Sequence, residues 1–95
     1  MTDLRKLARG QPCQLRLPGI CNHDNETTVL AHVKAGWCGS SKPPDICGIW
    51  MCSNCHDVFD GRRYSEYSRT ELDAEALRAL TQQLVWYVRH GVVRW

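Results

Sequence analysis

Two cysteines two residues apart, in Cys52-Ser53-Asn54-Cys55, set the strongest constraint on how this chain can fold. Thiolates at that spacing can bind one tetrahedral ion without straining the backbone between them. Cys13 and Cys21 are the obvious second pair, although seven residues separate them instead of the usual two to four. A closed site of Cys13, Cys21, Cys52 and Cys55 offers four soft donors, which suits a structural zinc ion and leaves no open position for catalysis. Such a staple matters in a single domain of 95 residues. A chain this short buries only roughly 60–65% of its unfolded surface, so its core is marginal. Zinc at a site of this kind supplies about 10–16 kcal/mol of apparent binding free energy. Cys38 and Cys47 are left over; they read as small core residues, although either could replace Cys13 or Cys21.

Disulfides are the alternative use for these thiols, and compartment decides between the two. The opening MTDLRKLARG is charged and has no apolar stretch of the kind a signal peptide needs. No apolar run approaches the roughly 20 residues of a membrane span. The expected location is therefore the cytoplasm, with no membrane partner, where thiols stay reduced and paired cysteines more often mean metal. A net charge of +2 is too small by itself to argue for nucleic acid. Arg5, Lys6, Arg9 and Arg16 cluster early, Arg62 and Arg63 follow the last cysteine, and Arg89 and Arg94 lie near the end. Taken singly, each reads equally well as solvated surface.

Along the chain there are no internal repeats. Residues 1–12 form a basic lead-in, and residues 13–26 read as a knuckle with a turn at Pro18-Gly19. Thr27 to Val33 is β-branched and apolar, a strand. Residues 34–45 hold two glycines and two prolines and form a loop. Ile46 to Met51 is a second strand, pairing with the first. Ser53 is a fair N-cap for a two-turn helix, with Asp57 in its first turn and Gly61 as its stop. A longer helix starts near Thr70, with Thr70 and Asp73 as a capping pair, and ends before Gly91. Leu77, Leu80, Leu84, Tyr87 and Val88 fall on one of its faces and are expected to pack over the sheet. The expected class is α+β: a zinc knuckle over 13–55, a ββα core over about 27–61, and an added C-terminal helix over about 70–90.

Chemistry concentrates beside the knuckle. His56 follows Cys55 directly and Asp60 lies four residues on, so on a helix both reach one ion from a face turned away from Cys52 and Cys55. An acid at a helix C-terminus is mildly unfavourable, a cost that a bound cation offsets. The bland reading is a surface histidine and a turn aspartate. His32 ends the first strand, opposite His56 once the second strand and helix fold back. An imidazole with an ordinary pKa of about 6.5 can take a proton from water at neutral pH. A satisfied structural histidine is the plain alternative.

A strand ending in Ala31-His32, a loop, a second strand, then C-x-x-C-H and an acid four residues on resembles the HNH endonuclease motif on its treble-clef-like ββα-metal fold. Across LRKLARGQPC, LPGIC, VLAH, KPPD and CSNCHD the chain is also similar to the small nucleases of lambdoid prophages, which implies a bacterial cytoplasm. The resemblance implies that His32 is the general base and His56 a metal ligand, with Asp60 in the place of the second. It implies a single divalent ion, Mg²⁺ or Mn²⁺ and less expectedly Zn²⁺, acting on a DNA phosphodiester to leave 5′-phosphate and 3′-hydroxyl ends. The chain departs from the motif twice. Ala31 stands where many members carry a further metal ligand. The asparagine that orients the base has no clear match: its slot falls near Cys47, Asp45 lies two residues earlier on the same face of an extended strand, and Asn54 sits inside the knuckle. A zinc knuckle that binds DNA or a protein and cuts nothing is the competing reading. Lys34, Lys42, Arg62 and Arg63 are the expected substrate contacts. The end carrying Trp86, Tyr87 and Trp95 could form a homodimer surface, although core packing explains those aromatics equally well.

Overall fold

The shortest of the α-helices shows how strongly tertiary packing governs this chain. In the computed structural model, which describes residues 3–33 and 44–93, the basic lead-in forms a helix, α1 (Leu4–Ala8). The Asp3 side chain accepts from the Arg5 and Lys6 amides, and Ala8 is buried against Trp50 and Tyr87. Five residues cannot form a stable helix alone; the cap and the buried face hold this one.

The expected strands are both present and both shorter than the sequence suggests. β1 (Val29–His32) pairs antiparallel with β2 (Gly48–Met51), in the register Val29↔Met51, Leu30↔Trp50, Ala31↔Ile49 and His32↔Gly48. Single 3-10 turns at Asn25–Thr27 and Asp45–Cys47 take up the residues the longer strands would have used. The first is set by Asp24, whose carboxylate caps the Glu26 amide. Alternation divides the sheet's faces. Ala31, Ile49 and Met51 face a core of Leu15, Leu17, Val58, Phe59, Leu72, Ala76, Ala79 and the cysteines. Leu30 and Trp50 face a second core with Ala8 and Tyr87. Gly48 allows no side chain, because a Cβ there would stand 2.5 Å from Leu30 Cγ.

Two helices follow. α2 (Ser53–Phe59) is capped not by Ser53 but by Cys52, whose sulfur accepts from the Cys55 amide at 3.4 Å. Asp57 thereby lies beyond the first turn, and it pairs with Arg62 at 3.2 Å. Gly61 ends the helix at φ 79°, as expected. α3 (Arg69–Arg89) starts on a capping box of Ser68 and Glu71, displacing the expected Thr70–Asp73 pair. Its buried stripe is Leu72, Ala76, Ala79, Gln83 and Tyr87, with Leu80 and Leu84 at the flanks. Leu77 is 68% exposed and Val88 is 38% exposed, so neither belongs to the core face assigned to them above. Trp86 and Tyr87 pack edge-on against Trp50 at 5.0 and 5.7 Å, Tyr87 buried and Trp86 half-buried; Trp95 lies outside the described residues. No described helix is long and apolar enough to cross a membrane.

Small residues at 76 and 79 bring α3 close to the sheet, and Gln83 uses that proximity. Fully buried, it accepts from the Trp50 amide at 2.8 Å and donates to the Gly48 carbonyl at 2.7 Å, satisfying the outer edge of β2 as a third strand would. The Gln14 amide covers the same edge by donating to the Trp50 carbonyl at 2.7 Å. Gln83→Ala will strand two buried backbone groups beside a cavity. The expected loss is about 2–5 kcal/mol, read from urea melts. An unchanged midpoint would mean the edge is satisfied another way.

Candidate metal centre and histidine cleft

The gap of seven residues between Cys13 and Cys21 closes because the chain doubles back twice. Arg16 takes a positive φ of 44° and Gly19 one of 77°; the Ile20 and Cys21 amides both donate to the Leu17 carbonyl. Leu15 and Leu17 plunge into the core between the turns, so packing alone already holds the knuckle against the domain. Cys52 and Cys55 arrive from the start of α2.

The sulfurs of Cys13, Cys21, Cys52 and Cys55 all lie within 4.8 Å of one another. A tetrahedron with zinc–sulfur bonds of about 2.3 Å has edges of about 3.8 Å, and Cys21 and Cys52 stand 3.8 Å apart. Amides of Arg16 and Cys55 donate to the sulfurs of Cys13 and Cys52, both at 3.4 Å, the kind of support that orients thiolate ligands. The donor set fits zinc. The thiols alone cannot share the charge: the Cys55 thiol beside it draws Cys13 down to about 4, while that same bond pushes Cys55 up. Burial raises Cys21 to about 11. A cation is what allows four thiolates together. Cys47 sits apart in the 3-10 turn before β2, so it does not replace either knuckle cysteine, and Cys38 lies outside the described residues.

His32 occupies the end of β1, on the sheet face that carries Leu30 and Trp50. Its Nε2 lies 2.7 Å from Asp45 Oδ1, and the Arg5 guanidinium donates to the same oxygen at 3.3 Å. The His32 bond, and then Arg5, hold the Asp45 carboxyl below the usual carboxylate range against a smaller opposing effect of burial. Asp45 thus meets His32 from the 3-10 turn and not from a longer β2. Asn54 lies on α2 among the knuckle residues. Arg5 had no distinguishing signal in the sequence beyond its place in a basic cluster.

His56 and Asp60 meet one turn apart on α2, with Nε2 and Oδ2 at 3.0 Å. They are partly exposed, whereas Cys55 beside them is buried, so the helix divides its two jobs between two faces. A cleft of about 450 Å³ is lined by His32, Val33, Phe59, Asp60, Arg62, Arg69 and Asp73. It joins the end of β1 to the end of α2. Arg62 reaches Asp60 at 3.4 Å and Asp57 at 3.2 Å. Arg69 lies over the Phe59 ring and donates to the Phe59 carbonyl, an anchoring role that sequence reading missed. Arg63 is exposed on the next turn; Lys34 and Lys42 lie outside the described residues. On its other side His32 borders a smaller hollow with Arg5, Arg9, Val29 and Leu30. Among the described residues, the four cysteines are the only cluster of three or more metal-type donors, so His56 and Asp60 form a pair without a third protein ligand.

These elements define a small α+β protein with a four-cysteine cluster able to hold a metal ion and a histidine–carboxylate cleft. Residues 2–89 match the model of a family described as "Putative nuclease YbcO", and the chain belongs to that family. The Escherichia coli K12 protein called "Putative nuclease YbcO" is 42% identical over 96 residues, covering 99% of both chains. The protein of the same name from Enterobacteria phage 82 matches equally well, over the same shares. A solved structure described as that of "a putative bacteriophage protein from Escherichia coli str. K-12 substr. MG1655" superposes with a TM-score of 0.79 at 38% identity. It covers 94% of this chain and all of its own.

Proposed function

We propose that this protein is a metal-dependent endonuclease of the HNH type, hydrolysing DNA phosphodiester bonds on a ββα-metal core stapled by zinc. The observation that carries the reading is the shared cleft, where His32, held by Asp45, opens beside Asp60, which His56 supports. The nuclease names of the two relatives agree with it.

With Nε2–H donating to Asp45, the His32 ring keeps its lone pair on Nδ1, the nitrogen left to take a proton from water. Arg5 neutralises Asp45 at the same oxygen, so the carboxylate orients the ring without a second uncompensated charge. His56 and Asp60 supply one imidazole and one carboxylate, a fit for Mg²⁺ or Mn²⁺, which keep several waters and rely on few protein ligands. When bound, that ion polarises the phosphoryl group and stabilises the 3′-oxygen leaving group. Arg62 stands at the same carboxylate, where it can turn to the phosphate. Water activated by His32 attacks phosphorus and the 3′-oxygen leaves, giving 5′-phosphate and 3′-hydroxyl ends.

A plasmid-nicking assay tests this. Zinc-replete protein, freed of weakly held divalent ions by mild chelation, is expected to nick only after Mg²⁺ or Mn²⁺ is restored. Asp60→Asn is expected to raise the metal concentration needed for half-maximal rate by about 10- to 100-fold. The pair of only two metal donors favours a second reading, a zinc knuckle that binds DNA without cutting. Folded wild type that leaves supercoiled, linear and branched DNA intact at every metal concentration would replace the first reading with the second.

A further inference from the structure

The loop that joins α2 to α3 carries a second hollow, separate from the histidine cleft. It measures about 580 Å³ and is lined by Pro18, Gly19 and Ile20 of the knuckle and by Tyr64, Ser65, Glu66, Tyr67 and Glu71. Its walls are tied together, since the Tyr67 hydroxyl donates to the Pro18 carbonyl at 2.9 Å and the Glu71 carboxylate accepts from the Ser68 amide. Tyr64 is 88% exposed. An aromatic ring left this open contributes little to folding.

We infer that this hollow receives an unpaired nucleobase of the substrate strand, stacked on Tyr64, and that the protein therefore prefers DNA with a single-stranded segment next to the cut. The inference rests on the nuclease reading for the identity of the ligand. Three observations select a base over other occupants. Arg62 borders the histidine cleft and Tyr64 the hollow, two residues and so about 7 Å apart along the chain. A nucleotide seated in the hollow is thus one or two steps from a phosphate in the cleft, with Arg62 and Arg63 between for the backbone. The hollow's charged groups are both acids, Glu66 and Glu71, which repel phosphate but accept hydrogen bonds from amino groups on base edges. The remaining wall is proline, glycine, isoleucine, one serine and two tyrosines, a mainly apolar surface for a flat ring. A paired base cannot present its face to Tyr64, so the site selects for strands already open.

The test uses zinc-replete His32→Ala protein, so that binding is read without cleavage. Single-stranded DNA oligonucleotides carrying 2-aminopurine at successive positions are titrated against it, alongside a blunt duplex of the same sequence. Quenching of the fluorophore at one position is expected, as stacking produces it. Adding Tyr64→Ala should abolish the quenching and weaken single-strand binding by about 5- to 150-fold, with duplex affinity unchanged. Tyr64→Phe should preserve both. Quenching that survives Tyr64→Ala, or an equal loss on duplex and single strand, would overturn the stacking site. Quenching by a protein whose wild type never nicks DNA would instead retain this site and remove the nuclease reading.

Discussion

Cys55→Ser will release the structural zinc and unfold the domain. Cys55 is fully buried in the main core, and its sulfur is one of four within 4.8 Å of one another. An ion held there would join the knuckle and the start of α2 directly behind the sheet at a single point. Structural zinc contributes about 10–16 kcal/mol of apparent binding free energy, whereas whole domains are stable by about 5–15 kcal/mol. The core cannot cover that loss in a 95-residue chain. Wild type should carry one zinc per chain by native mass spectrometry and melt cooperatively. Cys55→Ser should carry less than one-tenth of that and show no cooperative melt. Cys47→Ser is the control: Cys47 lies outside the sulfur cluster, so zinc content should stay at one. A Cys55→Ser protein with full zinc content and an unaltered melt would remove the staple, and an unreduced wild type containing disulfides would restore the alternative use of the thiols.

The grouping of Cys13, Cys21, Cys52 and Cys55 was readable because sulfur chemistry depends on residue type and rough spacing more than on the path between donors. The turns at Arg16 and Gly19 that close the wide Cys13–Cys21 gap could not be read, since a non-glycine residue at positive φ leaves no pattern. For α3 the length and end were legible from Gly91, but the buried face only in part, at Leu80, Leu84 and Tyr87. Periodicity seeks large apolar residues, and here Ala76, Ala79 and Gln83 face inward because close approach and a satisfied strand edge outweigh side-chain hydrophobicity. Leu77 is left on the surface in consequence. α1 was hidden by its length: its helical state comes from Asp3 and from the pocket that receives Ala8. The pairing of His32 with Asp45 was half legible. Sequence placed Asp45 within reach of the strand face, yet the contact arises from a 3-10 turn that starts β2 later, at Gly48, than its apolar residues suggest.

That turn bears directly on the largest effect expected at the cleft. His32→Ala should lower the nicking rate by about 10²- to 10⁴-fold, the usual contribution of a positioned general base, while zinc content and melting temperature stay near wild type. The side chain ends β1, half-buried, and borders two open hollows, so its removal widens them rather than leaving an enclosed cavity. Asp45 sharpens the test. Its Oδ1 only has to accept from Nε2–H, and an amide oxygen does this as well as a carboxylate. Asp45→Asn should therefore keep most of the activity, whereas Asp45→Leu, which offers no acceptor, should lose most of it. If Asp45 acted instead through its charge, Asn and Leu would fail alike. Equal nicking by wild type and a folded His32→Ala protein would remove His32 as the base, whatever the two Asp45 variants do.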